Sequence, residues 1–579
     1  MSGESDEARE EPAVSSGKTR REVRDGGRLL VECLLALGAR TAFGVPGESY
    51  LAVLDALHDA RGRLDFVNCR HEGGAAFAAA AWGKLTGEPG VCLVTRGPGA
   101  TNASIGVHTA RQDSSPMLLF VGQIDTRMRG REAFQELDCR AVFGALAKWA
   151  VEIEHIDRIP EILSRAWTVA LSGRPGPVVV ALPEDVLSAV TAAAALPGPV
   201  DVREAGADEA AVEAAGALLD AAERPLLLVG GAGWTGAGRT SVARFADLAR
   251  VPTIVSSRRH DLVDNESDVY AGDAGVGMGA HVRALLAGSD AILAVNTRLG
   301  EMTTDGWTLP SLPPTLPAGR SLVHVHASPD ELGRAFAPTL AVQAGPNAFM
   351  GAVAARAERS GRRADTPWRA DARRRWLESL DAPAQPGPVD MARVMAHLRA
   401  RLPKDAILTN GAGNFAIWPN RHFAFGAGHR LLAPQSGAMG YGLPAAIAAR
   451  LRHPERTAVC FAGDGDLQMV LAELGTAMQA RAAPVILVID NGAYGTIRMH
   501  QERHHPGRVS GTELQNPDFA AVARAYGLHA ERVETTGAFE AALKRALESS
   551  TGALLVLPTS IEALAPRLTL SSLREASRG

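Results

Sequence analysis

The sequence is poor in cysteine, in net charge and in long apolar runs, and each shortage excludes something. Its five cysteines, Cys33, Cys69, Cys92, Cys139 and Cys460, are scattered and odd in number. None forms a CxxC pair, so neither a disulfide framework nor a zinc site is supported, and a reducing cytoplasm is the expected setting. The 60 basic residues nearly cancel the 64 acidic ones, for a net charge of −4. That balance gives no electrostatic case for binding nucleic acid. No apolar run free of breakers is long enough to cross a bilayer, and the alanine-rich Ala192–Leu196 reads as linker. Residues 1–25 are polar and highly charged and lack the apolar core of a signal peptide, so a disordered tail is expected there.

What is present is glycine and alternation. A chain of 579 residues is too long for one core, so several domains are expected. Sixty glycines, 34 prolines and 46% hydrophobic residues suit a large α/β protein with many strand–helix turns. Apolar strands alternate with helical segments in three units, 26–190, 205–360 and 385–565. The fold class is therefore α/β, with three doubly wound parallel sheets. A linker at Pro197–Ala205 separates the first two units. The arginine-rich stretch Arg356–Arg375 reads as a solvated connection to the third, and a polar tail is expected after the last strand, Ala553–Leu557. No long repeat is visible, yet the first and third units share a plan of apolar strand, Gly-rich turn and helix.

The chain is organised around residues 463–491. An apolar strand, Ala458–Ala462, stops at Gly463-Asp464-Gly465. A helical segment, Leu467–Ala482, follows, and a second strand, Pro484–Ile489, ends at Asp490-Asn491. In a parallel sheet both strands finish on the same edge, where Asp464 and Asn491 can face each other. One carboxylate and one amide oxygen make a hard-oxygen site suited to Mg²⁺, which keeps positions open for water and the oxygens of a diphosphate. The glycines allow close backbone approach to a phosphate, and the helix start supplies N–H donors. The bland alternative is an ordinary βαβ turn whose Asp caps a helix.

At this point the stretch resembles the diphosphate-binding signature of thiamine diphosphate enzymes, and through Gln468-Met469 and Glu473-Leu474 the acetolactate synthase branch. The resemblance spans essentially residues 26–565. It implies a pyrimidine-binding domain, a central Rossmann-like domain and a diphosphate-binding domain. In the first, Arg70-His71-Glu72-Gly73-Gly74 and Thr95-Arg96-Gly97-Pro98-Gly99 look like the pyrimidine-binding segments. Glu72 would then hydrogen-bond the cofactor's N1′ and promote the tautomer that removes the C2 proton, whereas on its own it could be a Glu favoured by a helix dipole. In the third, Gly437-Ala438-Met439-Gly440 resembles the segment whose methionine wedges beneath the cofactor; Met439 could otherwise be core filler. The resemblance assigns the metal to Asp464, Asn491 and the carbonyl of Ala493. It assigns the cofactor to Pro46, Gly47, Glu72, Gly411, Met439, Gly463, Gly465, Asp466, Leu467, Tyr494, Gly495 and Thr496.

The central unit carries Gly231-Ala232-Gly233-Trp234-Thr235-Gly236 after a strand, a weak GxGxxG with no acidic ribose-binding residue evident. In the synthases this domain holds a structural FAD and typically reads RFDDR and IDIDPAE. Here the corresponding stretches are Arg298-Leu299-Gly300-Glu301-Met302 and Val323-His324-Val325-His326-Ala327-Ser328-Pro329-Asp330-Glu331. FAD is left open by the resemblance, but the departures favour a vestigial nucleotide fold.

The resemblance also implies a substrate pocket bordered by Gln123, Phe134, Gln135 and His500. His500 stands where branched-chain synthases carry a tryptophan, and Lys148 falls near the pocket; by themselves Phe134 could be core and Lys148 surface. The implied chemistry is decarboxylation of a 2-oxoacid such as pyruvate and transfer of the two-carbon unit to a second carbonyl. A specialised decarboxylase or lyase of the same family is the alternative, and a flavin- or nucleotide-dependent oxidoreductase the reading from another class. A non-catalytic partner subunit would not need Glu72, Asp464, Asn491 and Met439 together. The family's assembly implies a homodimer at least, and commonly a tetramer; a regulatory subunit cannot be read from the sequence.

Overall fold

A computed structural model describes residues 23–311 and 314–577; most of the tail expected at 1–25 lies outside the described residues, while Arg24–Asp25 pair antiparallel with Val190–Thr191. Three six-stranded sheets, parallel throughout, follow one another along the chain. The first comprises β1 (Thr41–Gly44), β2 (Asp65–Asn68), β3 (Gly90–Val94), β4 (Met117–Gln123), β5 (Trp149–Glu152) and β6 (Pro177–Pro183), in the order β2-β1-β3-β4-β6-β5. The second comprises β7 (Pro225–Val229), β8 (Thr253–Ser256), β9 (Tyr270–Ala274), β10 (Ala291–Val295), β11 (Ser321–His326) and β12 (Leu340–Gln343), in the order β9-β8-β7-β10-β11-β12. The third comprises β13 (Ile407–Asn410), β14 (Arg430–Leu432), β15 (Ala458–Gly463), β16 (Val485–Asp490), β17 (His529–Arg532) and β18 (Ala553–Pro558), ordered β14-β13-β15-β16-β18-β17.

The first and third sheets thus share one strand order, and the middle sheet has the other doubly wound order, running outward both ways from its first strand. Central strands such as Met117–Gln123 and Ala458–Gly463 are buried along their whole length. Both faces carry helices, which is why these strands read as unbroken apolar runs.

The first and third domains pack through small residues. Helix α1 (Glu72–Thr86) is buried from Gly73 to Gly83, almost all glycine and alanine. It lies against α2 (Gly97–Asp113), where a Cβ on Gly106 would come within 2.3 Å of Ala76 Cβ. Its other side meets the third domain: Phe77 stands edge-on to Tyr441 with ring centroids 5.7 Å apart. An alanine-rich sequence alone does not tell a surface helix from this one. The absence of a polar face does.

Three expectations need correction. The stretch Arg356–Arg375 is not a solvated linker. Its second half opens helix α3 (Pro367–Leu380), whose Trp376 is buried against Tyr270 at 5.0 Å. Arg369 is 7% exposed and pairs with Asp365 and Asp268, which Arg250 also reaches. Arginine count misleads here because the partners are distant in sequence. The helix expected over Leu467–Ala482 is two helices, α4 (Asp464–Gln468) and α5 (Glu473–Gln479). Between them Val470 N donates to Leu467 O and Glu473 N to Val470 O, a tightened i→i+3 connection that turns Glu473 inward. The polar tail is likewise ordered: α6 (Leu570–Ala576) buries Leu570 and Leu573, and Arg574 grips the fully buried Glu502 through two bonds of 2.9 and 2.7 Å.

The close seat of α1 gives a direct test. A Cβ on Gly83 would stand 2.0 Å from the Pro116 carbonyl oxygen, a backbone atom that cannot swing away. Gly83→Ala should cost about 1–3 kcal/mol of stability, read from urea unfolding. An unchanged midpoint would show that the seat yields.

Candidate functional site

The register of the third sheet sets the site. Gly463 at the end of β15 pairs with Ile489 near the end of β16, so Asp464 and Asn491 leave adjacent strand ends on one edge. Asp464 is 2% exposed. Its Oδ1 accepts from Gly465 N at 3.0 Å and its Oδ2 from Asn516 Nδ2 at 2.8 Å. Burial, reinforced by Asp490, raises its pKa above the ordinary carboxylate range; the amides of Asn516 and Gly465 oppose the shift. Asn491 Oδ1 accepts only the nearby Ala493 N, at 3.1 Å. A buried carboxylate held by amides beside a free-edged amide oxygen is a donor set that a divalent cation fits.

Around this edge lies a cavity. Met439, Gly463, Asp464, Gly465, Asp466, Asn491, Ala493, Tyr494, Gly495 and Thr496 all line it. Gly411 stands just behind, represented in the wall by Ala412 and Gly413, and Leu467 is wholly buried in the core beneath. Asp466 has a more specific duty than contact with a cofactor. Its Oδ1 accepts from Ala412 N at 3.0 Å and from Gly440 N at 2.9 Å, fastening two Gly-rich loops to each other and setting Met439 at the cavity. Burial pushes this carboxyl up to about 7. A Cβ at Gly411 would fall 2.0 Å from the same oxygen, so glycine is needed for the close approach.

Sequence reasoning missed several contributors. Asn516 bridges Asp464 and Asp490 with one amide group, 2.8 Å from each. Asn414 accepts from Thr496 Oγ1 at 2.9 Å and ties the two walls. Thr559, Ala563 and Leu564 come from beyond the last strand. Only the last group had any signal, in the apolar residues of the supposed tail.

Glu72 is not in this cavity. It opens α1, half-buried, with Oε2 accepting from Asn102 Nδ2 at 2.9 Å. The turn before it is fixed by Glu473 of the third domain, 1% exposed, which accepts from Arg70 N at 3.2 Å and His71 N at 3.0 Å. Pro46 is exposed, and Gly47 packs so tightly on Thr95 that a Cβ there would lie 2.6 Å from Thr95 Cβ. Among the described residues every wall of the Asp464 cavity belongs to the third domain.

The residues assigned to the substrate pocket are scattered in the same way. Gln123 is 2% exposed with both ends of its amide engaged, donating to Leu137 O at 2.6 Å and accepting from Ile124 N at 2.9 Å. Phe134, 72% exposed, is not core. Gln135 has φ +64° and its carbonyl accepts from Gly97 N at 3.0 Å. His500 is exposed and stacks on His504 at 6.4 Å. Lys148 is not a free surface charge. It donates to Val169 O and Ser172 O at the end of a helix, and burial lowers its pKa to about 8.

The central sheet has its own crevice where β7 and β10 diverge. Asn296 Nδ2 donates to Gly230 O at 3.2 Å and Ala232 O at 2.7 Å, and Arg298, Arg174, His326 and Met302 line the opening. Arg174 pairs with Glu331 at 2.8 Å, and Arg298 donates to Gln112 Oε1 at 3.2 Å. Burial lowers His326 to about 4, as it does His422 in the third domain.

Two sheets of one strand order on either side, along the chain, of a third with another order, with a carboxylate–amide edge in the last, fit an enzyme of the thiamine class. Family models agree. That of the thiamine pyrophosphate enzyme N-terminal TPP binding domain matches residues 24–142, the central domain 212–353 and the C-terminal TPP binding domain 411–557. The chain belongs to the thiamine pyrophosphate enzyme family. Within it the chain is acetolactate synthase-like. It is 30% identical over 535 residues to the acetolactate synthase isozyme 2 large subunit of Escherichia coli (strain K12), covering 91% of this chain and 94% of that one. It is 31% identical over 551 residues to the acetolactate synthase large subunit of Parasynechococcus marenigrum (strain WH8102), covering 92% and 86%. To the mitochondrial acetolactate synthase catalytic subunit of Saccharomyces cerevisiae it is 29% identical over 555 residues, covering 92% and 80%.

The buried histidines give a pH prediction. Folded-state pKa values near 4 for His326 and His422, against an ordinary value of 6.5, mean that both stay neutral in the fold and charge more readily when unfolded. Their contribution to stability is present above pH 6.5 and is lost as pH falls towards 4. Unfolding midpoints measured across that window should fall, and His422→Gln should shallow the slope. A slope unaltered by the substitution would contradict the buried neutral ring.

Proposed function

We propose that the Asp464 cavity holds the diphosphate of thiamine diphosphate through Mg²⁺, and that the protein decarboxylates a 2-oxoacid, most simply pyruvate, and transfers the two-carbon unit to a second carbonyl. The observation that carries this reading is the buried Asp464 carboxylate, held only by amides and next to Asn491 on the same edge. Asp464, Asn491 Oδ1 and the Ala493 carbonyl would hold the metal. The backbone at Gly463, Gly465, Gly495 and Thr496 would meet the diphosphate, and Met439 would support the bent cofactor. Bound thiamine diphosphate would supply a nucleophilic carbon able to add to a 2-oxo group and a cationic ring able to take up the electron pair left behind when CO₂ departs. The protein's part is to bind, orient and place protons. Glu72 would hold a proton at the pyrimidine N1′, and Glu473 keeps the Glu72 turn in position.

Since the cavity is walled by the third domain alone, Glu72 would reach it from a second copy of the chain, and a homodimer is the smallest complete form. A tetramer is compatible with that pairing. FAD is kept out of the reaction. The central crevice is rich in arginine and suits an anion, but the proposed chemistry needs no hydride exchange. Five buried free cysteines suit a reducing cytoplasm, and no described helix is long and apolar enough to cross a membrane. The acceptor is the open choice: the exposed, stacked His500 favours a pocket unlike that of a branched-chain synthase, so release of the aldehyde is the second reading.

The test is incubation with thiamine diphosphate, Mg²⁺ and pyruvate, with acetolactate, acetaldehyde and CO₂ measured together. Acetolactate with CO₂ is expected; acetaldehyde alone selects the decarboxylase, and no CO₂ removes pyruvate as donor. Glu72→Gln should bind cofactor nearly as well as the parent while C2 hydrogen–deuterium exchange falls by about 10²-fold or more. Ordinary exchange would take the role from Glu72. Asp464→Ala should lose Mg²⁺-dependent cofactor binding, read by calorimetry.

A further inference from the structure

A further cavity, of about 480 Å³, lies between the central and third domains. Its apolar wall includes the Tyr270 and Trp376 rings, packed edge to face, and Ile417. Set in that wall are polar side chains that the fold leaves unused. Asn420 is 8% exposed, yet neither end of its amide makes a hydrogen bond, and Oδ1 is fully buried. His281 Nε2 is likewise buried without a partner. A buried polar group left unpaired costs about 1–3 kcal/mol, so two such groups around one space call for an explanation.

The buried charges are already spent. Arg421 Nε donates to Asp273 Oδ1 at 3.0 Å, and its other nitrogens bond the Gly277 and Val276 carbonyls at 2.5 and 2.7 Å. Asp273 also faces His260, at 3.4 Å. Burial lowers the pKa of His281, so that ring is neutral at pH 7. The buried part of the cavity therefore offers aromatic surface with neutral donors and acceptors; at its rim the exposed Glu378 pairs with Arg374, and the exposed Arg567 donates to the Asp381 carbonyl. This is the composition of a small-molecule site rather than of a water-filled gap.

Its position gives it something to act on. The short helix Ile417–Arg421 shows Trp418 to the cofactor cavity and Ile417, Asn420 and Arg421 to this one. The segment after β18 does the same, with Ala563 and Leu564 on one side and Ala565 and Leu568 on the other. The two cavities share two walls. We propose that this cavity binds a small neutral molecule with a flat apolar body and a carboxamide- or hydroxyl-type polar end, and that its occupancy alters cofactor affinity through the shared walls.

The experiment is a calorimetric titration of the full chain with benzamide, with benzoate and benzylamine as charged controls. Benzamide should bind, and the two charged probes at least tenfold more weakly. Asn420→Ala should weaken benzamide at least tenfold without lowering the unfolding midpoint, since the side chain makes no hydrogen bond to lose. Ala280→Phe, at an exposed lining position, should block entry. No heat with benzamide, equal binding of benzoate, or binding unaltered by both substitutions would overturn the site. The second arm rests on the thiamine diphosphate reading: saturating benzamide should change the cofactor's dissociation constant at fixed Mg²⁺ threefold or more, and linkage requires the reciprocal change. An unchanged constant would overturn the coupling. The first arm needs neither cofactor nor turnover, so it fails independently of the carboligase reading.

Discussion

Three carboxylates buried within ten residues, Asp464, Asp466 and Glu473, are what the third domain is built to hold. Each is at most 3% exposed, and burial raises the pKa of each. Isolated buried anions are costly unless something supplies compensating dipoles or charge. The chain supplies backbone amides: Gly465 to the first, Ala412 and Gly440 to the second, Arg70 and His71 to the third. The consequence differs for each. Asp464 keeps a deficit that a cation would fill. Asp466 spends its negative charge on joining two loops. Glu473 spends its own on another domain, so the break between α4 and α5 is what lets one segment serve two sites.

Topology decides where those sites can be. In a sheet ordered like the third, the chain changes direction between its first and third strands, and loops leaving β13 and β15 diverge there. Gly411 and Gly463 stand at those two ends, which is why the cavity forms between them. The central sheet diverges between β7 and β10 instead, and its crevice opens at Gly231 and Asn296. One rule therefore places both.

Much of this was legible from sequence because it is local. The strand–GDG–helix–strand unit and the pairing of Asp464 with Asn491 follow from apolar runs and parallel register. The common plan of the first and third units was visible as Gly-rich turns after strands. What escaped depends on distance along the chain. Arg369 reads as solvated until Asp268 is brought to it; Lys148 reads as surface until the carbonyls of Val169 and Ser172 close on it. Asn516 has no motif, because a single amide bridging two carboxylates requires only that a loop return. Gln123 was placed at a substrate pocket from resemblance, yet in the chain its amide pins the Leu137 loop.

The separation of Glu72 from Asp464 follows from the same economy of contacts. Helix α1 packs against the third domain of its own chain through Phe77 and Tyr441, and Glu473 fixes the turn at its start. That contact uses the flank of α1 and leaves the Glu72 carboxylate half-buried, bonded to Asn102 and away from the Asp464 cavity. A rigid helix so anchored cannot swing Glu72 into its own chain's cavity without breaking the Ala- and Gly-lined seat. Under the proposed function, the Glu72 carboxylate and the Asp464 edge, which do not meet within one chain, would meet between two. The strand order shared by the first and third domains supports a pairing in which each faces its counterpart across a twofold axis. The packing that makes one chain stable would then leave its site to be completed by another.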